Sequence, residues 1–314
     1  DKQLTADDMF SDRDLSGDYS ECTDITLSKS TASCSDSSVT VADGSVIITK
    51  AGTYKLSGTF TGQIIVNAGD SDKVQLVLDN ASITKEGSAA LYIINADKVF
   101  ITTVKGTENT LSSTGEFASS DDATNVDGAI FSKSDITFNG SGTLSVKCES
   151  KHGIVTKDDL KITGGTYNIT SASQGLSGKD SVRIAGGNIT ITSGTDGIHS
   201  ENTDNTEKGY VYISGGTLNI TNVKDCIDAS GTVDIKDGTF TLKAGGGSSE
   251  KTKGDSTESY KGIKADGVLT ISGGTFDIDT LDDAIHSNAD VTVSGGTLDI
   301  STGDDGIHSG NNTV

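Results

Sequence analysis

The chain carries one motif twice, 22 residues apart, as Asp282-Asp283-Ala284-Ile285-His286-Ser287 and as Asp304-Asp305-Gly306-Ile307-His308-Ser309. Weaker copies of this motif recur upstream, with its aliphatic residue at Ile154, Leu176, Ile198, Ile227 and Ile263. Most steps measure 22 to 24 residues, and the two longer ones contain polar insertions. A fixed period of this length is typical of stacked structural repeats.

A second motif, Gly-Gly-Thr, keeps the same period at 164–166, 215–217, 273–275 and 295–297. Between the two motifs the apolar residues stand two positions apart, as in Leu160 and Ile162. This is the period of a strand with one buried face, and no window has the spacing of an amphipathic helix. The sequence therefore predicts an all-β fold: a single-stranded, right-handed parallel β-helix, a solenoid with three short strands and about 22 residues per rung.

The domain organisation follows from where the repeats begin. Residues 37–314 form the predicted solenoid, with Val314 inside an incomplete rung. Residues 1–36 are rich in Asp, Ser and Thr and are predicted to form an N-terminal cap, since an open solenoid end exposes both core and strand edges.

The charge balance excludes several classes of partner. With 45 acidic and 24 basic residues the net charge is −21, which would repel nucleic acid and anionic membrane surfaces. The chain also has no apolar run long enough for membrane insertion. The same charge favours bound cations.

The start of the chain and the cysteines bear on location. The sequence begins at Asp1 and contains no signal peptide, as expected of a mature or trimmed secreted protein, so a secreted or cell-surface location is predicted. Cys22 and Cys34 either form a disulfide or remain thiols. Cys148 and Cys226 are expected to be small buried residues.

The acidic residues of the repeated motif are the candidate metal ligands. Stacking would bring carboxylates of neighbouring rungs to about 5 Å, where they repel each other unless a hard cation lies between them. Calcium, which takes six to eight oxygen ligands, is the predicted ion. The predicted ligands are Asp282, Asp283, Asp304, Asp305, Asp196 and Asp225. For the isolated aspartates the alternative is a structural role in turns, which we favour.

One residue after the aliphatic position lies a predicted outward column of polar residues. Its ligand-binding candidates are His199, Asp228, Lys264, His286 and His308. A histidine above a histidine would suit a transition metal or a general base. The alternative, a solvated polar ladder, is the preferred interpretation.

Several segments carry a family resemblance, namely residues 9–14, 52–58, 72–78, 95–101 and 208–213. Together they resemble bacterial cell-surface carbohydrate-binding β-helix proteins, best known from plant-fibre-degrading clostridia. The resemblance implies a secreted or lipid-anchored solenoid that binds calcium and plant polysaccharide, pectic polygalacturonate and cellulose in particular. Its shape is similar to that of family 9 polysaccharide lyases, which use calcium and a lysine base.

Three functions follow. The leading one is non-catalytic binding of plant cell-wall polysaccharide, with calcium bridging acidic pectic chains and with cellulose as a further ligand. The second is a calcium-dependent uronate lyase with Lys264 as base; where the family has lysine, however, this chain has His199, His286 and His308. The third is a subunit of a calcium-stabilised surface fibre built by end-to-end strand pairing.

Overall fold

The computed structural model describes residues 9–117, 125–250 and 257–314. In these ranges it contains one short helix, α1 (Asp12–Leu15), and 32 strands. The strands before residue 117 are β1 (Thr23–Lys29), β2 (Thr31–Ser33), β3 (Val39–Ala42), β4 (Ser45–Ile48), β5 (Gly52–Thr61), β6 (Gln63–Asn67), β7 (Lys73–Glu86), β8 (Leu91–Asn95), β9 (Lys98–Thr103) and β10 (Glu108–Thr114).

The later strands are shorter and fall into groups of three. They are β11 (Gly128–Ser132), β12 (Asp135–Gly140), β13 (Thr143–Cys148), β14 (His152–Thr156), β15 (Asp159–Ile162), β16 (Thr166–Ser171), β17 (Leu176–Gly178), β18 (Ser181–Ile184), β19 (Asn188–Ser193), β20 (Ile198–Ser200), β21 (Tyr210–Ile213), β22 (Thr217–Asn222), β23 (Ile227–Ala229), β24 (Val233–Ile235), β25 (Thr239–Ala244), β26 (Ile263–Ala265), β27 (Leu269–Ile271), β28 (Thr275–Thr280), β29 (Ile285–Ser287), β30 (Val291–Val293), β31 (Thr297–Thr302) and β32 (Ile307–Ser309).

Pairing between these groups is parallel, and each strand pairs with the third strand after it. The first strands of each group, from β11 to β32, lie in a sheet of 12 strands, and the second and third strands lie in a sheet of 20. The described antiparallel pairs are β1 with β2 and β3 with β4. The prediction of an all-β chain built from parallel strands is confirmed.

The core consists of the predicted apolar columns. On one of them Ile154 pairs with Leu176 and Leu176 with Ile198, and all three side chains are fully buried. On another, the rings of Phe240 and Phe276 stack with centroids 4.4 Å apart. On β16, β19 and β22 the residues that alternate with the buried ones are polar and face outward, because a strand turns successive side chains to opposite faces.

The Gly-Gly turns fix where each third strand begins. Gly187 has a φ of 104°, and a β-carbon there would lie 3.1 Å from the carbonyl oxygen of Gly165 in the preceding repeat. Equivalent glycines therefore stack in a column that other residues fit poorly.

The N-terminal repeats differ from this pattern. β5 and β7, of 10 and 14 residues, each continue through the position where later repeats turn. In β7 the bend is made by Asn80, whose φ is 55°, in place of a Gly-Gly turn. The regular three-strand grouping therefore begins only after β7.

The predicted cap of residues 1–36 is only partly described, since 1–8 lie outside the described residues. Its β1 pairs with β5 in parallel and contributes Ile25 and Leu27 to the core, while α1 packs against β12. The boundary at residue 36 stays a prediction. All four cysteines are free thiols, and Cys148 and Cys226 are buried. None of the described helical residues form a segment capable of crossing a bilayer.

Candidate functional site

A column of residues runs along one corner of the stacked repeats, just before the strands of the 12-stranded sheet. It contains the residue that precedes the small residue of the motif in each repeat: His152, Gln174, Asp196, Asp225, Lys261, Asp283 and Asp305. The backbone N–H of each following small residue donates to the carbonyl oxygen of the next column member, as Gly197 does to Asp225 at 3.0 Å. We call this the corner column.

Aspartates of the corner column bond to the backbone of the next repeat. Oδ1 of Asp196 accepts the N–H of Asp225 at 3.2 Å, and Oδ1 of Asp225 accepts the N–H of Lys261 at 2.7 Å. Asp283 accepts the N–H of Asp305 in the same way, at 3.2 Å. Each of these carboxylates thus has a structural role, while its second oxygen faces a side chain: Gln174 for Asp196, Lys264 for Asp225 and His286 for Asp283.

Three of the predicted metal ligands come together. Asp282, Asp283 and Asp304 each offer a carboxylate oxygen, and these atoms lie within 4.8 Å of one another. Asp282 is 1% exposed and Asp283 is 5% exposed, whereas Asp304 is exposed to solvent. We call these three residues the oxygen cluster. Asp305 lies outside it, with Oδ2 3.2 Å from Nδ1 of His308.

Lys261 contributes an ammonium group to the oxygen cluster. Its Nζ lies 2.7 Å from Oδ2 of Asp282 and 3.9 Å from Oδ2 of Asp283. Sequence reasoning did not include Lys261 among the site residues. The signal was present, because Lys261 occupies the corner-column position that is acidic in the repeats on both sides.

The donor set of the oxygen cluster fits a hard cation. All three groups are carboxylates, the ligands that calcium prefers, and one ammonium offsets only part of their charge. An ion bound there would require Lys261 to move away from Asp282. The other two predicted ligands are placed differently: Asp196 groups with His199 and Asp228, and Asp225 belongs to none of the metal-ligand groups among the described residues.

The predicted outward column is a ladder of paired residues. His199 pairs with Asp228, Asp228 with Lys264, Lys264 with His286 and His286 with His308. The structure therefore brings all five ligand-binding candidates onto one surface beside the corner column.

Lys264 is engaged with carboxylates of the preceding repeat. Its Nζ lies 2.9 Å from Oδ1 of Asp228 and 3.8 Å from Oδ2 of Asp225. Burial lowers the pKa of Lys264, but Asp228 and Asp225 outweigh this effect, and the pKa lies above its ordinary value. The side chain is thus held as an ammonium ion.

Burial also changes the acidity of the corner aspartates. Burial raises the pKa of Asp225 to about 6; the N–H of Lys261 opposes the shift, and the charge of Asp228 adds to it. Burial and the charge of Asp228 likewise raise the pKa of Asp196. Both carboxyl groups therefore take up a proton more readily than an exposed aspartate does.

A second group of carboxylates, at the opposite end of strands β14 and β17, predicts a pH dependence of stability. Burial, the charge of Asp135 and a hydrogen bond to Asp180 raise the pKa of Asp158 to about 7. Between about pH 4, the ordinary value, and pH 7 the folded chain keeps a proton that the unfolded chain has released, so stability falls as pH rises. We expect Asp158→Asn to lack this fall and to be more stable than the wild type at pH 8. Urea unfolding at pH 5 and pH 8 measures this; equal changes in both proteins would contradict it.

Comparison with known proteins identifies the family. A family model described as "Carbohydrate-binding domain-containing protein" matches residues 42–306, which include the corner column and every ladder strand except β32. The chain belongs to this family. Family membership agrees with the resemblance to clostridial carbohydrate-binding proteins that five segments of the sequence indicated.

One relative and one solved structure show which proteins the chain is similar to. A carbohydrate-binding domain-containing protein of Acetivibrio thermocellus is 42% identical over 134 residues, which cover 42% of this chain and 46% of that protein. The match thus spans less than half of the relative's length. A solved structure, described as the polysaccharide lyase-like protein from C. thermocellum, gadolinium derivative, is 31% identical with a TM-score of 0.66, covering 88% of this chain and 100% of that one.

Proposed function

We propose that the chain binds acidic plant cell-wall polysaccharide, such as polygalacturonate, through calcium held at the oxygen cluster, without cleaving it. The observation that carries this proposal is the convergence of the carboxylates of Asp282, Asp283 and Asp304 within 4.8 Å. Membership of a carbohydrate-binding family supplies the ligand class. The related structure described as a gadolinium derivative adds support, since a lanthanide is a hard cation that takes oxygen ligands, as calcium does.

Calcium explains how a chain of net charge −21 would hold a negatively charged sugar. Uronate carboxylates and the corner aspartates repel each other directly, whereas an ion between them attracts both. Asp304, the exposed member of the oxygen cluster, faces solvent where a uronate oxygen could complete the coordination. Hence sugar binding should require calcium, and calcium binding should not require the sugar.

The proposal is tested by substituting two exposed aspartates that lie five residues apart in the sequence. Asp304→Asn removes a charge from the oxygen cluster, while Asp299→Asn removes one from the outward face of β31. We expect Asp304→Asn to weaken calcium binding by at least about tenfold, equal to 1.4 kcal/mol, and to lose calcium-dependent polygalacturonate binding. Asp299→Asn should behave as the wild type. Calorimetry with calcium alone, and then with polygalacturonate, gives both affinities.

Two outcomes would contradict the proposal. Equal weakening by both substitutions would mean that only net charge matters. Polygalacturonate binding that persists in chelator would place the sugar elsewhere on the chain.

A uronate lyase is the second candidate, favoured by the structural similarity to a polysaccharide lyase-like protein. Its base would be Lys264, with Asp282 and Asp283 holding calcium. The contacts of Lys264 with Asp228 and Asp225 weigh against it, because a base must give up its proton before it accepts one. Ultraviolet absorbance of an unsaturated product, followed during the same titrations, distinguishes a lyase from a binding protein.

Cellulose is the second candidate ligand, and a different surface favours it. The outward side chains of β16, β19 and β22 form an exposed array without charge: Asn168, Thr170, Asn188, Thr190, Thr192, Thr217, Asn219 and Thr221. Such hydroxyl and amide groups suit the hydroxyls of a neutral glucan. Sedimentation with crystalline cellulose in chelator would detect this binding, which should not depend on calcium.

Three further features are part of the proposal. The parallel pairing of each strand with the third one after it supports a right-handed parallel β-helix of three-stranded rungs. A secreted or cell-surface location follows from a cell-wall ligand. End-to-end self-association through strand pairing stays a prediction, checked by size-exclusion chromatography with and without calcium.

A further inference from the structure

We propose that His286 and His308 form a binding site for a transition-metal ion of the zinc class, distinct in its chemistry from the oxygen cluster. The two residues are paired in register on β29 and β32, and their rings stack with centroids 4.7 Å apart and planes 10° apart. With Asp283 they offer ligand atoms within 4.8 Å of one another. Both side chains reach solvent, with exposed fractions of 15% and 45%.

Each imidazole is oriented by a carboxylate three residues earlier. Nδ1 of His286 lies 2.8 Å from Oδ2 of Asp283, and Nδ1 of His308 lies 3.2 Å from Oδ2 of Asp305. A carboxylate accepts but does not donate, so Nδ1 carries the hydrogen in both rings. This leaves Nε2 as the nitrogen that a metal would bind, in the carboxylate–histidine–metal arrangement typical of such sites. Asp283 and Asp305 are therefore positioning residues.

An oxygen atom that could bind a metal ion lies next to Nε2 of His286. Oδ1 of Asn288 is 3.0 Å from Nε2 of His286, and Nδ2 of Asn288 donates to Oδ1 of Asp266 at 2.8 Å, which holds the oxygen toward the ring. Two ligands of one zinc ion stand at a similar separation, because metal bonds of about 2.0–2.1 Å meet near the tetrahedral angle. A bound ion would replace the contact between Nε2 of His286 and this oxygen by binding both atoms, and any proton held between them would pass to solvent.

Ligand type decides which ion fits. Imidazole nitrogen suits zinc, copper and nickel, whereas calcium takes oxygen ligands. The carboxylates of Asp283 and Asp305 supply negative charge behind the rings. A zinc-class ion is therefore expected at the nitrogens and calcium at the oxygen cluster, although Asp283 contributes to both.

The other two histidines of the chain lack this arrangement. His199 stands in the same ladder, but its Nδ1 is 3.1 Å from Oδ2 of Asp228, whose other oxygen binds the Lys264 ammonium. Nδ1 of His152 accepts the N–H of Gln174 at 3.1 Å. Among the described residues, a stacked pair of imidazoles therefore occurs at His286 and His308 alone. His199 serves as the matched control.

The test is a titration of the full chain, first freed of metals by chelator, with zinc by calorimetry and with cobalt by visible absorbance. We expect one bound ion, with affinity reduced at least about tenfold in His286→Gln and in His308→Gln, and also in Asp305→Asn, which loses the positioning carboxylate. His199→Gln should bind within about twofold of the wild type. Circular dichroism of each variant verifies folding, and His308, being exposed, tolerates substitution best.

Two results would overturn the proposal. One is zinc binding that His308→Gln leaves intact. The other is zinc that excess calcium displaces and whose affinity falls as much in Asp304→Asn as in His308→Gln. Such an ion would occupy the oxygen cluster. Neither result bears on polysaccharide binding, so the two proposals fail separately.

Discussion

Asp14→Ala is expected to lower the free energy of unfolding by about 3–5 kcal/mol, because it removes the one carboxylate between two buried lysines. Asp14 is fully buried, with Oδ1 2.7 Å from Nζ of Lys98 and Oδ2 3.3 Å from Nζ of Lys161. Thr137 donates to Oδ1 at 2.7 Å, and the N–H of Ser11 donates to Oδ2 at 3.0 Å. The variant would leave both ammonium groups in a poorly solvated place without the carboxylate that binds them.

The same residue predicts an acid sensitivity. Burial raises the pKa of Asp14, but the bonds to Lys98, Ser11 and Thr137 and the charge of Lys161 outweigh it and hold the pKa well below its ordinary value. A carboxyl group with a lowered folded pKa stabilises the fold above its ordinary value, about pH 4, and loses this contribution as pH falls below it. The difference in stability between the wild type and Asp14→Ala should therefore shrink in acid.

Asp12→Ala is the matched control, since Asp12 lies in the same helix and is exposed. Its effect should stay below about 1 kcal/mol. Urea unfolding of both variants at pH 7 and pH 3.5 measures the two effects. A loss of equal size in the two variants would show that α1, and not the buried charge, carries the stability.

The effect matters for the whole fold because of where Asp14 lies. Its partners sit on β9, β12 and β15, so the N-terminal segment ties three successive strands from outside the core. Arg183 on β18 extends this contact by donating to the carbonyl oxygen of Met9 at 3.1 Å. The segment thus braces the side of the 20-stranded sheet, in addition to the capping contact that β1 makes with β5.

The regular part of the fold was predictable because its signal is local. Residues two apart point the same way in a strand, so the spacing of Leu160 and Ile162 identifies β15, and the recurrence of the motif gives the register of neighbouring repeats. The same register predicts His286 beside His308, and the two residues pair on β29 and β32. Because the repeats stack, residues one period apart in the sequence lie next to each other in the structure.

Other features depend on contacts between residues that are not related by the repeat period. The partners of Asp14 stand 84 to 149 residues away in the sequence, in strands whose outward polar residues look like solvated ones. In β7 a single Asn80 in left-handed conformation replaces the Gly-Gly turn, and Asn is less specific for that conformation than glycine. Lys261 stands where the neighbouring repeats have an acidic residue, and its role depends on the carboxylate of Asp282 in the next repeat.

Lys261→Met is expected to make the chain depend on calcium for stability. In chelator the variant should lose about 3–5 kcal/mol, because the Asp282 carboxylate stays buried without the Lys261 ammonium, which lies 2.7 Å from it in the structure. Methionine keeps the length and flexibility of the side chain, so packing changes little. With calcium added, the ion should replace the missing positive charge and restore most of this loss.

The wild type should gain less from calcium than the variant does. In the wild type the ion has to displace the Lys261 ammonium from Asp282, whereas in Lys261→Met that ammonium no longer competes with the ion, and calcium affinity should rise by at least about tenfold. An ion present at 100 times its dissociation constant stabilises the folded chain by about 2.7 kcal/mol. The tighter site of the variant therefore gives the larger shift at any one calcium concentration.

Lys243→Met provides the control, because Lys243 pairs with Asp279 at 3.3 Å on the half-exposed surface of β25 and β28. Surface pairs of this kind contribute about 1 kcal/mol or less, so this variant should follow the wild type with and without calcium. Urea unfolding of the three proteins, in chelator and in millimolar calcium, gives the six stabilities required. If calcium stabilises Lys261→Met no more than the wild type, the ion does not share Asp282 with Lys261, and the oxygen cluster is held by the lysine alone.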